Sequence, residues 1–209
     1  MIPPAIDHTF ATPIYHGMVS NYESIQYQID KRIDNGDIKF DNKQFPGSPH
    51  WISEGGFSGD VIKASGFNCL SKEIYRHVDN YCDMIDVSKV IKRYKRNRTS
   101  WIALFKKGDY AQIHNHGGTD ISGVYYYKSG EDKNATIHFE SPNPYLSTSK
   151  LYKANMNGTF YDSGGNLVYP STSGIILLFP GWLMHGVHRN TGDEDRMSIS
   201  FNISLTSSK

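Results

Sequence analysis

Two histidines separated by a single residue, His114 and His116, are the first place where this chain could do chemistry. In an extended strand, residues two apart point to the same face, so both imidazoles can converge on one point. Neutral imidazole is a frequent protein ligand of transition metals. Two histidines on one strand face can also simply be buried and hydrogen-bonded. The pair therefore indicates a candidate metal centre within the segment GDYAQIHNHGGTDISGVYYY and does not define one alone.

A second polar group lies further along the chain, in the segment GIILLFPGWLMHGVHRNTGDEDRMSISFN. His185 follows an apolar run that predicts a buried strand and then a Pro-Gly turn, a position typical of the mouth of a β-barrel. Arg196 and Ser198 would share one face of the last strand, and the apolar residues between and after them would share the other. An arginine that faces the interior is costly unless it meets an anion.

These side chains suit an iron site that also binds a 2-oxo acid. Three protein ligands on one face of an octahedral iron leave three positions open, two for the 2-oxo acid and one for dioxygen. The far carboxylate of 2-oxoglutarate then needs a charged, bidentate partner, which a guanidinium supplies, and Ser198 adds a hydroxyl donor. The alternative for Arg196 is a surface salt bridge with Glu194 or Asp195.

The motifs around these residues resemble those of the 2-oxoglutarate/Fe(II) oxygenases found in marine bacteria and their phages. The resemblance is carried by HNHGGTDISGVYYY, IILLFPGWLMHGVHRN and RMSISFN, and by FATPIY near the start of the chain. It implies the double-stranded β-helix (jelly-roll) fold related to prolyl hydroxylases. It also implies that His114 and His185 bind iron and that Arg196 with Ser198 binds the tail of 2-oxoglutarate.

One position departs from the pattern usual in that superfamily, which has HxD or HxE where this chain has His114-Asn115-His116. His116 therefore stands in the carboxylate position, and strand-face geometry favours it as the third metal ligand. Asp120, beyond a Gly-Gly turn, is the rival for that role. The substitution removes one negative charge from the surroundings of the iron. Tyr125, on the next predicted strand, is a further candidate for lining the cofactor pocket.

Helices are predicted before residue 100 and short strands after it. We expect one helix from Asn21 to about Ile33 and two helices between Cys69 and about Arg96. Residues 43–60 combine Gly, Pro and aromatics and could form a lid. Short strands separated by turn-forming residues follow, including a predicted strand at 150–156 and a hairpin of 159–161 with 167–169.

The predicted fold class is mainly β with N-terminal helices, a jelly roll packed against helices. The chain is expected to be a single domain, 1–209, in which residues 1–99 cover the sheet and residues 100–209 form the core with the metal site.

Composition narrows the functional classes. The chain has 209 residues and a net charge of +1, which provides no strong electrostatic attraction to nucleic acid or to an anionic membrane. Cys69 and Cys82 match no zinc or redox spacing and read as free thiols. Neither a signal peptide nor a membrane span is evident. We expect a soluble protein in the cytoplasm of a bacterium or a phage-infected host.

The resulting hypothesis is a dioxygenase that uses Fe(II), 2-oxoglutarate and O₂ to hydroxylate an unactivated C–H bond. Its substrate would be a peptidyl residue such as proline, an amino acid or a small metabolite. One alternative is a cupin that binds metal through His114, His116, Asp120 and His185 without 2-oxoglutarate. Another is a jelly-roll binding module without a metal. Arg196 with Ser198 distinguishes the dioxygenase from the cupin, which has no use for that pair, whereas the binding module predicts that the protein binds no iron.

Overall fold

The computed structural model of the protein describes residues 11–41, 49–129, 135–143 and 166–207. Within them the chain forms two antiparallel sheets, and helices cover one of these sheets. The strands in chain order are β1 (Tyr15–Met18), β2 (Phe40–Asp41), β3 (Trp51–Ser53), β4 (Tyr94–Phe105), β5 (Ala111–His114), β6 (Ile121–Lys128), β7 (Ile137–Glu140), β8 (Asn166–Tyr169), β9 (Ile175–Pro180), β10 (His185–Val187) and β11 (Arg196–Ser207). The helices are α1 (Tyr22–Asp34), α2 (Val61–Ala64), α3 (Asn68–Met84) and α4 (Ser88–Ile91).

The larger sheet has the strand order β1-β9-β6-β11-β4-β3-β2, and the smaller one has the order β5-β10-β7-β8. Strands that are distant in sequence thus lie side by side, which confirms the predicted double-stranded β-helix. Apolar residues of β6 and β9 pack against Ile137 and Phe139 of β7, so the two sheets share a core between them. This arrangement places the ends of β5 and β10 against the interior face of the larger sheet.

The helices close the opposite face of the larger sheet. In α3, buried residues recur every three or four positions, the spacing of an amphipathic helix: Leu70, Ile74, Val78, Tyr81 and Cys82. They meet Ile199, Phe201 and Ile203, the apolar alternate residues of β11, in one cluster. This confirms the predicted packing of the jelly roll against the N-terminal helices.

The last predicted helix, which was expected to reach about Arg96, forms only in its first turn. Helix α4 ends at Ile91, and the basic run that follows it forms the start of β4 rather than a helix. β4 pairs with β11 over twelve residues, from Tyr94 opposite Ser207 to Phe105 opposite Arg196. A continuous ladder with a central strand outweighs a local helical preference, which is a weak bias on its own.

The N-terminal residues also contribute strands as well as helices. β1 forms one edge of the larger sheet, and β2 with β3 forms the other. The helix predicted after Asn21 forms as expected, although Asn21 has a positive φ of 53° and its side chain makes no capping hydrogen bond. β8 confirms the second half of the predicted hairpin. Three other predicted features lie outside the described residues: the first half of the hairpin, the strand at 150–156 and part of the proposed lid.

Candidate metal centre

Three histidine side chains meet at the open end of the cavity between the sheets. One ligand atom from each of His114, His116 and His185 lies within 4.8 Å of the others. His185 of β10 is directly opposite His114 of β5, and their ring centroids are 4.4 Å apart. The His116 ring lies 5.2 Å from that of His114 and 5.0 Å from that of His185. The structure therefore brings together the three histidines that the sequence nominated.

A hydrogen bond at Nδ1 fixes the orientation of each ring. His114 Nδ1 lies 2.7 Å from the carbonyl oxygen of Gln112, and His185 Nδ1 lies 2.8 Å from that of Leu183. His116 Nδ1 lies 2.5 Å from the amide oxygen Oδ1 of Asn202. Because these oxygens only accept, each Nδ1 carries the proton and donates it, which leaves the Nε2 lone pair free. A neutral ring held in this way is the form that binds a transition metal.

Burial keeps two of these rings uncharged. His185 is 5% exposed, and its burial, reinforced by the neighbouring His114, lowers its pKa to about 3. Burial also lowers the pKa of His116, against the opposing hydrogen bond to Asn202. His114 is exposed at the mouth of the cavity. His116 and His185 thus present neutral nitrogen donors at ordinary pH, as metal binding requires.

His116 lies beyond the end of β5, so strand geometry alone does not place it. Its backbone N–H donates to the carbonyl oxygen of Gly181, in the turn that links β9 to β10. A Cβ atom at Gly181 would lie 2.3 Å from the carbonyl oxygen of Thr119. Gly181 therefore permits the close approach of two turns that carries His116 to the other two histidines.

Arg196 lies inside the same cavity and makes no ion pair among the described residues. It is 3% exposed, and its Nε and Nη1 atoms have no hydrogen-bond partner there. Its guanidinium lies between the rings of Phe105 and Tyr126, 4.8 Å from each centroid. Burial lowers its pKa and the neighbouring Tyr126 opposes that effect, but a guanidinium keeps its charge in proteins. A salt bridge with Glu194 or Asp195 is excluded.

A buried, uncompensated cation of this kind is a site for an anion. The cavity that contains it has a volume of about 460 Å³ and also contains the three histidines. Ser198 is buried and lines the same cavity, as the alternation along β11 predicted. Metal donors, cation and hydroxyl thus border one space, and this composition fits Fe(II) together with a 2-oxo dicarboxylate.

Two sequence candidates lie elsewhere. The Asp120 carboxylate accepts a hydrogen bond of 2.7 Å from the backbone N–H of Leu205 and is not part of the histidine cluster. Asp120 is therefore not the third ligand in this arrangement, and the four-ligand cupin site is not assembled. Tyr125 lies in the apolar cluster beneath the helices, on the face of the sheet away from the cavity. Its neighbour Tyr126 lines the cavity instead.

The sequence interpretation missed three residues of the site: Tyr126, Ser122 and Asn202. Asn202 continues the alternation that begins with Arg196 and Ser198, so the same period-two pattern contained a signal for it. Ser122 is its partner across the β6–β11 ladder. Tyr126 had no such signal, because β6 carries tyrosines and other buried residues on both faces and gives no clear indication of which face is inward.

A known protein family matches the β-rich part of the chain. Residues 99–202 match the model of a family described as "Putative 2OG-Fe(II) oxygenase". The matched segment includes the three histidines, Arg196, Ser198 and Asn202. No curated protein sequence matches the chain.

Several solved structures share this fold but have low sequence identity to the chain. A prolyl-4-hydroxylase from Pseudomonas putida aligns with a TM-score of 0.61 at 10% identity, covering 94% of each chain. HygX from Streptomyces hygroscopicus, with nickel, 2-oxoglutarate and hygromycin B bound, gives 0.59 at 12% identity, over 94% of this chain and 84% of that one. A prolyl hydroxylase from Trichoplax adhaerens in complex with a peptide gives 0.59 at 14%, over 91% and 83%. At these identities the likeness establishes the fold.

Proposed function

We propose that this chain is a dioxygenase that uses Fe(II) and 2-oxoglutarate to hydroxylate an unactivated C–H bond of its substrate, in keeping with the family match of residues 99–202. The observation that carries this proposal is a buried guanidinium that makes no ion pair among the described residues and leaves Nε and Nη1 unbonded there, in the same cavity as three converging imidazoles. Each part alone has other uses, but together they match an iron site that chelates a dicarboxylate.

In this proposal His114, His116 and His185 hold the metal through Nε2. The hydrogen bonds at Nδ1 support this role, because they orient each ring and set its tautomer before the metal arrives. Three ligands from one side leave the remaining positions of an octahedral ion towards the cavity.

Arg196 and Ser198 would hold the distal carboxylate of 2-oxoglutarate. The guanidinium is a permanent charge with a planar set of donors, and the walls of Phe105 and Tyr126 limit its rotation. Binding an anion there would satisfy donors that otherwise remain buried and unpaired. The carboxylate would therefore be attracted strongly to this end of the cavity, with its 2-oxo end directed to the histidines.

The cofactors supply the oxidant: with O₂, 2-oxoglutarate leaves as succinate and CO₂ while the target carbon is hydroxylated. The contribution of the chain is positioning and exclusion of water. Aromatic rings line the cavity around the histidines, with Trp101 5.8 Å from His116 and Phe179 4.8 Å from His185. Phe57, from the predicted lid, packs edge-on against Trp101 at 4.8 Å and lines the cavity as well.

We infer that the substrate presents an aliphatic carbon to this aromatic space. A peptidyl residue such as proline, a free amino acid and a small metabolite all fit that description.

Cys69 and Cys82 are free thiols, which supports a reducing compartment such as the cytoplasm of a bacterium or a phage-infected host. In the described residues, no helix is both long and apolar enough to cross a membrane.

The test is an anaerobic titration of the Fe(II)-loaded protein with 2-oxoglutarate. Chelation at the open positions should produce a visible metal-to-ligand charge-transfer band, and oxygen should then convert 2-oxoglutarate to succinate. Arg196→Ala should still bind iron but should require much more 2-oxoglutarate to develop the band. An iron-loaded protein that shows no band would contradict the proposal and favour a cupin-like metalloprotein. A protein that binds no iron would favour a non-catalytic binding module.

A further inference from the structure

The three histidines differ in what holds them. His114 and His185 donate from Nδ1 to backbone carbonyls two residues earlier in their own segments. His116 donates to a side chain, the amide of Asn202, which is far away in sequence. Its segment has left β5 by this point and turns towards Thr119, whose N–H donates to the carbonyl oxygen of His116. The orientation of His116 therefore depends on a residue that a mutation can remove.

Asn202 is itself fixed by its neighbours. It sits in the ladder of β11 between Thr99 of β4 and Ser122 of β6. The Ser122 hydroxyl donates to the same amide oxygen at 2.8 Å. Two donors on one oxygen leave it no freedom to rotate without losing both bonds, and the position of the amide follows from two central strands. These two contacts place the amide oxygen against both His116 and Ser122.

We propose that Asn202, supported by Ser122, is the positioning residue that makes His116 a metal ligand in the place where related sites carry a carboxylate. A carboxylate needs no tautomer to bind a metal, whereas an imidazole must have its proton on the far nitrogen. The Asn202 oxygen puts the His116 proton on Nδ1 and turns Nε2 towards His114 and His185. This inference rests on the proposed function only in taking the histidine cluster as a metal site.

The first measurement needs no metal. Nitrogen-15 NMR of the metal-free protein, with His116 assigned through a His116→Gln variant, reports which ring nitrogen carries the proton. We expect the Nδ1–H form in the wild-type protein and a mixture with the Nε2–H form in Asn202→Ala. An unchanged Nδ1–H form in Asn202→Ala would overturn the proposal, whether or not the protein is an oxygenase.

The second measurement is the affinity for Co(II), titrated by its visible absorption. Removing a hydrogen-bond partner of a ligating histidine costs roughly 10- to 100-fold in metal affinity, which is the loss expected for Asn202→Ala. Asn202→Asp should restore the affinity, because its carboxylate also accepts from Nδ1. Ser122→Ala should give a smaller loss. A purely structural role for Asn202 would not be rescued by a buried charge, so failure of Asn202→Asp with a loss in Asn202→Ala would also contradict the proposal.

A matched control is Asn97→Ala, in which an asparagine of the same sheet loses a side-chain hydrogen bond of 2.9 Å to Thr206 away from the cavity. It should leave Co(II) affinity and the His116 tautomer unchanged. If the wild-type protein binds Co(II) but not 2-oxoglutarate, the proposed function fails while the role of Asn202 stands. Equal Co(II) affinities of wild type, Asn202→Ala and Asn97→Ala would remove Asn202 from the site.

Discussion

The two faces of the larger sheet use the same strands for opposite purposes. Along β11, Ile199, Phe201 and Ile203 point to the helices and are fully buried. The alternate residues point into the cavity and are polar: Arg196, Ser198, Ser200 and Asn202. The helix face is closed by apolar contacts that stabilise the fold. The cavity face keeps a buried charge without a partner among the described residues, and such a charge costs stability. This difference separates residues that hold the protein together from residues that serve its site.

Phe201→Ala should give the largest change in stability. Its ring is fully buried beneath the helices, and truncation of such a phenylalanine costs about 3–5 kcal/mol in the free energy of unfolding. Urea unfolding measures this loss. Below the unfolding transition, the affinity for Co(II) should remain close to that of the wild-type protein. A large loss of metal affinity in the folded variant would mean that the two faces are not independent.

Arg196→Leu should have effects of opposite sign on function and stability. Loss of the guanidinium proposed to bind the distal carboxylate should weaken 2-oxoglutarate binding by about 30-fold or more. Removal of the unpaired buried charge should raise the free energy of unfolding of the ligand-free protein by about 1 to 4 kcal/mol. Calorimetric titration and urea unfolding give the two numbers. A variant that is less stable than wild type would show that Arg196 supports the fold.

The cavity face should also make the metal-free protein sensitive to acid. The pKa of His185 is lowered to about 3 in the folded state, against an ordinary value of about 6.5 when unfolded. The unfolded state thus takes up the proton first, and stability present at neutral pH is lost as the pH falls below about 6.5. Between pH 7.5 and pH 5.0 this one group should lower the free energy of unfolding by about 2 kcal/mol.

Urea unfolding at the two pH values measures this loss. His185→Gln removes the titrating group, so its loss between pH 7.5 and pH 5.0 should be smaller than that of the wild-type protein by about the same amount. Equal losses in both proteins would assign the acid sensitivity to other groups, such as His77, whose pKa is also lowered chiefly by burial.

Two adjacent tyrosines offer the finest comparison of the faces. The Tyr126 ring lies 4.8 Å from the Arg196 guanidinium, and its buried hydroxyl has no hydrogen-bond partner among the described residues. In the proposed site this hydroxyl donates to the same carboxylate, so Tyr126→Phe should weaken 2-oxoglutarate binding about fivefold. The Tyr125 hydroxyl is buried under the helices without a hydrogen-bond partner among the described residues. Tyr125→Phe should therefore leave 2-oxoglutarate affinity unchanged and should not lower stability. Equal effects of the two substitutions on 2-oxoglutarate affinity would contradict the assignment of faces.

Local periodicity was enough to predict part of this molecule. The period-two alternation in β11 placed Arg196 and Ser198 on one face, and the three-to-four spacing in α3 predicted its buried side. The same alternation extends to Asn202. Local pattern was insufficient where long-range pairing competes with it, as in residues 94–98, where the β4–β11 ladder replaces a helical preference.

The sequence by itself determined the kinds of groups in the site: three histidines, one arginine and a serine, in a β-rich core behind N-terminal helices. Only the tertiary structure decided which of these groups meet. The pairing of β5 with β10 sets His185 opposite His114, and the close turns at Gly181 bring His116 to them. The same contacts direct Asp120 to the backbone of Leu205 and Tyr125 to the helices. The physical reason is that ligand geometry depends on strand pairing and on the choice of inward face, and neither is encoded in local spacing.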